Sequence, residues 1–147
     1  MKIDELHIVL AEDDRDDRLF FKNAFKGLKI DNKLTICEDG IALMDYLNAV
    51  DPVPHILFLD LNMPGKNGME CLKELRANQR YADLSIAIYT SLKSPTIGEE
   101  TLLQGANVFI RKPNEPEDLK KILQEVIYIN WQYMTDGLNK DNFMLCY

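Results

Sequence analysis

The chain is short of histidine, of cysteine and of positive charge, and each shortage closes off a class of function. Its two histidines, His7 and His55, stand apart near the starts of apolar runs and read as structural, so no histidine general base or imidazole metal cage is on offer. The three cysteines, Cys37, Cys71 and Cys146, show no CxxC spacing and no pairing with histidine, which removes zinc-ribbon and dithiol chemistry. With no secretory leader, they fit a reduced, cytoplasmic setting. No apolar run is long enough to cross a membrane. Seventeen basic residues against 24 acidic ones give a net charge of −7, so direct, phosphate-driven nucleic-acid binding lacks its basic face. Neither internal repeats nor low-complexity tracts nor linkers divide the 147 residues, which suit one domain with one core.

What is present is an alternation of two hydrophobic periods. "LHIVLA" (6–11), "KLTIC" (33–37), "HILFLD" (55–60), "LSIAIYT" (84–90) and "NVFIRKP" (107–113) read as strands. Between and after them lie helical stretches at 18–28, 40–48, 68–78, 97–106 and 116–130. Asn67 is the expected N-cap of the third and Pro116 the first-turn residue of the fifth. Continuously apolar strands flanked by helices predict a five-stranded parallel sheet covered on both faces. Right-handed crossovers make it a doubly wound, flavodoxin-like α/β sandwich of three layers. In such sheets the working site lies beyond the carboxyl ends of the strands, at the topological switch point.

The residues at those ends are polar in a coherent way. The first strand ends in Glu12 and Asp13, the third in Asp60, the fourth in Thr90 and Ser91, and the fifth in Lys112 before Pro113. Three carboxylates converging on one edge repel one another, and a divalent cation resolves that conflict. Oxygen donors without sulfur or imidazole suit Mg²⁺, with Mn²⁺ as a substitute. Asp14, Asp16 and Asp17 follow at a helix start, where complementing the helix dipole accounts for them.

Taken together, "LAEDD", "LFLDLNMPGKNG", "IYTS" and "FIRKP" resemble the receiver domain of bacterial two-component response regulators of the chemotaxis type. The resemblance covers roughly residues 5–130, and its most specific element is D-x-x-M-P-x-x-x-G starting at Asp60. It implies that Asp60 accepts a phosphoryl group from a histidine kinase or a phosphotransfer protein. By the same resemblance Glu12, Asp13, Asp60 and the backbone carbonyl of Asn62 hold the metal, and Thr90, Ser91 and Lys112 bind the phosphoryl group. Thr90 and Phe109 match the switch residues, Phe109 turning inward when Thr90 moves toward the phosphoryl oxygens. Lys112–Pro113 matches a peptide bond that is usually cis. The implied protein is a phosphoacceptor, not an enzyme, that passes its signal to a downstream target protein.

A flavodoxin-type flavin binder would need a Ser/Thr/Gly-rich phosphate loop where "EDDRDDR" stands. A haloacid-dehalogenase-type phosphatase would carry an acid where Asn62 stands. The remaining alternative is a receiver-like adaptor that binds partners independently of phosphorylation, against which the full set of acids, hydroxyl and lysine speaks. Residues 1–130 are expected to form the domain. The aromatic-rich segment 131–147 is expected to be a tail packed on it, with homodimerisation as the other use, and no separate output domain is expected.

Overall fold

The computed structural model describes residues 5–29, 31–136 and 145–147, without the side chains of 131–136 and 145–146. Five strand–helix units follow one another: β1 (Leu6–Ala11), α1 (Arg15–Phe25), β2 (Asn32–Cys37), α2 (Gly40–Ala49), β3 (Ile56–Leu59), α3 (Gly68–Arg76), β4 (Ser85–Thr90), α4 (Ile97–Leu103), β5 (Val108–Arg111) and α5 (Pro116–Asp136). A 3₁₀ turn, Gln79–Tyr81, links α3 to β4. All pairings are parallel, in the order β2-β1-β3-β4-β5, with the switch point between β1 and β3.

Two apolar layers sandwich the sheet because alternate strand residues point to opposite faces. Leu6, Ile8, Leu10, Phe58 and Ile110 meet Phe21 and Phe25 of α1 and Leu119 and Leu123 of α5 on one side. Val9, Leu57, Ile86 and Ile88 meet Leu43 and Leu47 of α2 and Leu72 and Leu75 of α3 on the other. Phe21 anchors the first layer, its ring centroid 5.1 Å from Phe58 and 5.6 Å from Tyr89 in edge-to-face contacts. Both β3 and β4 are buried along their whole length, as central strands of a two-faced parallel sheet must be.

Three helices begin where the sequence offers a side-chain cap. Asp14 and Asp39 accept the backbone N–H of Asp17 and Ala42 to open α1 and α2. Asn67 and Glu70 form a reciprocal capping box at α3.

At its far edge the structure goes beyond the five strands expected. Leu145–Cys146 forms a short sixth strand, β6, parallel to β5, and α5 continues to Asp136. A strand of two residues has no periodicity to read, so it was invisible in the sequence. Of the aromatic tail expected to pack on the domain, Tyr147 is partly buried against the layer that holds α1 and α5; the side chains of 131–146 and residues 137–144 lie outside the described residues.

Candidate functional site

The ends of β1, β3, β4 and β5 come together because the ladder continues one residue past each strand. Glu12 N–H donates to Cys37 O (3.0 Å), Asp60 N–H to Ala11 O (3.1 Å) and Lys112 N–H to Thr90 O (2.8 Å). The polar residue following each apolar run is thereby carried to one edge. Gly68 completes the geometry behind Asp60: its amide donates to Leu61 O at 3.0 Å. A Cβ at Gly68 would sit against the carbonyl oxygen of Asp60, well inside van der Waals distance. The D-x-x-M-P-x-x-x-G spacing thus reflects a backbone approach that only glycine permits.

Asp60 is 3% exposed and Glu12 fully buried, whereas Asp13 lies at the surface. One oxygen from each of the three lies within 4.8 Å of the others. Lys112 enters from β5, its Nζ 2.5 Å from Glu12 Oε1, 2.8 Å from Asp17 Oδ2 and 3.4 Å from Asp60 Oδ2. Burial pushes the Glu12 carboxyl up to about 8, and its hydrogen bond with Asp60 adds to the rise, while Lys112 pulls the other way. For Lys112 itself, burial acts against the ammonium, but Asp17, Glu12 and Asp60 outweigh it and hold the lysine above its usual range. Two buried carboxylates and a third at the mouth share this one buried cation. The excess of negative charge and the all-oxygen donor set fit a hard divalent ion of the Mg²⁺ or Mn²⁺ kind.

The remaining residues singled out in the sequence occupy distinct positions. Thr90 is buried at the end of β4, where its Oγ1 accepts the N–H of Leu92 at 3.2 Å. Ser91 follows it and is exposed. The side chain of Asn62 faces solvent, and its backbone N–H donates to Asp60 Oδ1 at 3.2 Å. Phe109 is already inward, 4% exposed and packed on Gly98 of α4, where a Cβ would lie 3.1 Å from its Cδ1. The inward position expected on activation is therefore the one the ring holds here.

Lys112–Pro113 is a correction. The cis X-Pro bond among the described residues is Asp51–Pro52, and Lys112–Pro113 is not cis. Lys112 is held inward by the three carboxylates it touches.

Two residues of the site were missed in the sequence. Asp17 was assigned to the α1 dipole, yet it hydrogen-bonds Lys112 across 95 residues of chain. Arg18 donates from Nη1 to the carbonyls of Glu12 (3.1 Å) and Asp13 (2.8 Å), which stiffens the acidic turn. Asp17 meets Lys112 only where α1 crosses the end of the sheet, and Arg18 reaches back five and six residues to backbone carbonyls, which no side-chain pattern records.

Known proteins share this chain's family and fold. Residues 8–124 match the response regulator receiver domain family. The chain is 31% identical over 122 residues to a chemotaxis protein CheY homolog of Campylobacter jejuni, covering 83% of this chain and 92% of that protein. It is 28% identical to response regulator Rcp1 of Synechocystis over 124 residues, covering 81% and 84%. The solved Mn²⁺-bound form of Rcp1 superimposes with a TM-score of 0.75 at 25% identity, covering 91% of this chain and 97% of that one. No helix among the described residues is long and apolar enough to cross a membrane. With the family match spanning most of the described chain and the fold shared with a solved response regulator, this chain belongs to the response regulator receiver domain family of two-component systems.

Proposed function

We propose that Asp60 is the phosphoacceptor, and that its phosphorylation by a histidine kinase or phosphotransfer protein alters the surface offered to a downstream protein. The observation that carries this reading is the setting of Asp60: a 3% exposed carboxylate at the end of an apolar strand, 3.4 Å from the Lys112 ammonium. Such a charge is costly to bury unless it is paired, and Lys112 supplies the partner.

Phosphoryl transfer asks for positioning and charge stabilisation more than for acid–base groups. One Asp60 carboxylate oxygen forms the new P–O bond while the P–N bond to the donor imidazole breaks, and that nitrogen keeps the electron pair. Lys112 lies within reach of the equatorial oxygens as they gain charge. Thr90 Oγ1 accepts the Leu92 amide, which leaves its O–H to donate to a phosphoryl oxygen, and Ser91 follows it in the chain. Glu12, Asp13, Asp60 and the carbonyl of Asn62 are the groups that would hold Mg²⁺, or Mn²⁺ in its place. Bound there, the ion supplies charge neutralisation for the incoming phosphate. The added dianion then biases Thr90 and the β4–α4 loop toward a second arrangement around a Phe109 ring that is already inward.

The test is phosphorylation by acetyl phosphate with Mg²⁺, read by intact-mass spectrometry. Wild type should gain a single base-labile phosphoryl adduct, and Asp60→Asn should gain none. An unlabelled wild type that still binds partners would favour the adaptor reading, and label persisting on the variant would move the acceptor elsewhere.

A further inference from the structure

We propose that Arg111 is a latch that ties the β4–α4 loop to β5 and so keeps the Thr90 hydroxyl in its resting engagement; this rests on the phosphoacceptor reading of Asp60. Arg111 closes β5 beside Lys112, and its side chain points to the α4 face. Its guanidinium donates from Nη1 to Leu92 O at 2.7 Å and from Nη2 to Ser94 O at 3.0 Å. The same group lies 5.2 Å from the centroid of the Phe109 ring, within the range of a cation–π contact. The ring's other neighbour is Gly98 of α4. One exposed side chain thus touches the aromatic switch position and two carbonyls of the loop that leaves Thr90.

The link to chemistry is the amide of Leu92. Its N–H donates to Thr90 Oγ1 at 3.2 Å, and its carbonyl is the atom that Arg111 grips. The carbonyl lies in the peptide unit after the one that carries the N–H, so Arg111 acts by holding Leu92 from its C-terminal side while Thr90 engages it from the N-terminal side. Thr90 Oγ1 accepts that N–H, so its own O–H is left to donate. Drawing Oγ1 toward a phosphoryl oxygen carries it away from the Leu92 amide and pulls on the loop that Arg111 holds. The fork is specific to arginine, because two parallel donors grip two carbonyls two residues apart, whereas an ammonium is a point charge. Arg111 acts through Leu92 and Thr90 and is therefore a positioning residue.

The latch and plain electrostatics make opposite forecasts. Deleting a positive charge near the mouth would slow reaction with an anionic phosphodonor. Releasing a restraint on the resting state raises the population competent to react, by about fivefold for a contact worth one net hydrogen bond.

The experiment compares wild type, Arg111→Ala and Arg111→Lys. Because Arg111 is exposed, its replacement is not expected to perturb the core. Two readouts are used: initial labelling by acetyl phosphate with saturating Mg²⁺, and amide hydrogen exchange of residues 91–96 in the unphosphorylated protein. The latch predicts labelling about fivefold faster in both variants and faster loop exchange in both. Wild-type rates and wild-type loop exchange in Arg111→Ala overturn the latch. Restoration by lysine, or slower labelling in alanine, overturns it in favour of a charge effect. If wild type takes no label, the phosphoacceptor reading fails, and the exchange arm still decides whether Arg111 restrains the loop.

Discussion

Lys112 is the one side chain on which all the buried acids of the site depend. Its side chain is 9% exposed, against 0% for Glu12 and 4% for Asp60, so its removal would leave two carboxylates facing each other in a dry pocket. Breaking such a pair from one side costs roughly 3 kcal/mol or more. We expect Lys112→Met to lower the unfolding free energy of the metal-free protein by ~3 kcal/mol at pH 8, measured by urea titration. The loss should shrink at pH 5. Glu12 titrates near 8 in the folded chain against its ordinary 4.5, so the folded state holds that proton more tightly than the unfolded one. Stability from this group is greatest at low pH and declines as pH rises through that window, so a protonated Glu12 has less need of a counter-charge. Asp17→Asn is the control. That side chain is 39% exposed, and solvent screening limits its share to under about 1 kcal/mol. A larger loss in Asp17→Asn than in Lys112→Met would mean that the surface pair, not the buried one, dominates.

At the scale of elements, the end of the sheet opposite the site is held by one arginine. Arg76, at the end of α3, donates to Gly105 O (2.7 Å), Tyr81 O (2.9 Å), Leu84 O (2.9 Å) and Asn107 Oδ1 (2.9 Å). It thus joins the 3₁₀ turn, the start of β4 and the α4–β5 turn, while Asn107 Oδ1 also accepts the N–H of Ile86. Lysine cannot reach four acceptors with one ammonium. Arg76→Lys should therefore cost ~2 kcal/mol through carbonyls left without donors, seen as a lower urea midpoint with an unchanged slope. If the midpoint stays put, water replaces the fork and the clamp is dispensable. The sequence shows why part of this layout was legible and part was not. The strands announced themselves as apolar runs ending in polar residues, and α3 through Asn67 and the glycine at 68. Arg76 looked like an ordinary basic residue at a helix end, since its acceptors come from three separate segments. β6 was hidden for the converse reason: backbone groups define it, with Tyr147 N–H donating to Phe109 O at 2.7 Å and Arg111 N–H to Tyr147 O at 3.1 Å. No side-chain pattern records that pairing.

Across the whole molecule, what the site binds adds to the stability that its own ion pairs supply. A ligand that prefers the folded chain stabilises it by RT ln(1 + [L]/Kd), about 2.7 kcal/mol at a hundredfold excess over Kd. The acidic edge of the sheet is assembled only when β1 and β3 are paired, so the unfolded chain offers Mg²⁺ no comparable site. We expect the thermal midpoint to rise steadily with Mg²⁺ in the wild type. Asp13 is the informative position for testing this, because it is exposed and makes no buried ion pair. Asp13→Ala should leave the metal-free midpoint within about two degrees of wild type, since exposed substitutions usually change stability by about 0.5 kcal/mol or less. It should nonetheless erase most of the Mg²⁺-dependent rise. Asp60→Asn is less clean, because it also relieves repulsion with Glu12 and can stabilise the metal-free protein outright. Calorimetric titration of Mg²⁺ into Asp13→Ala completes the comparison. Undiminished heat together with an undiminished rise would put the cation somewhere other than the ends of β1 and β3, and Lys112 alone would then answer the buried charge of Asp60.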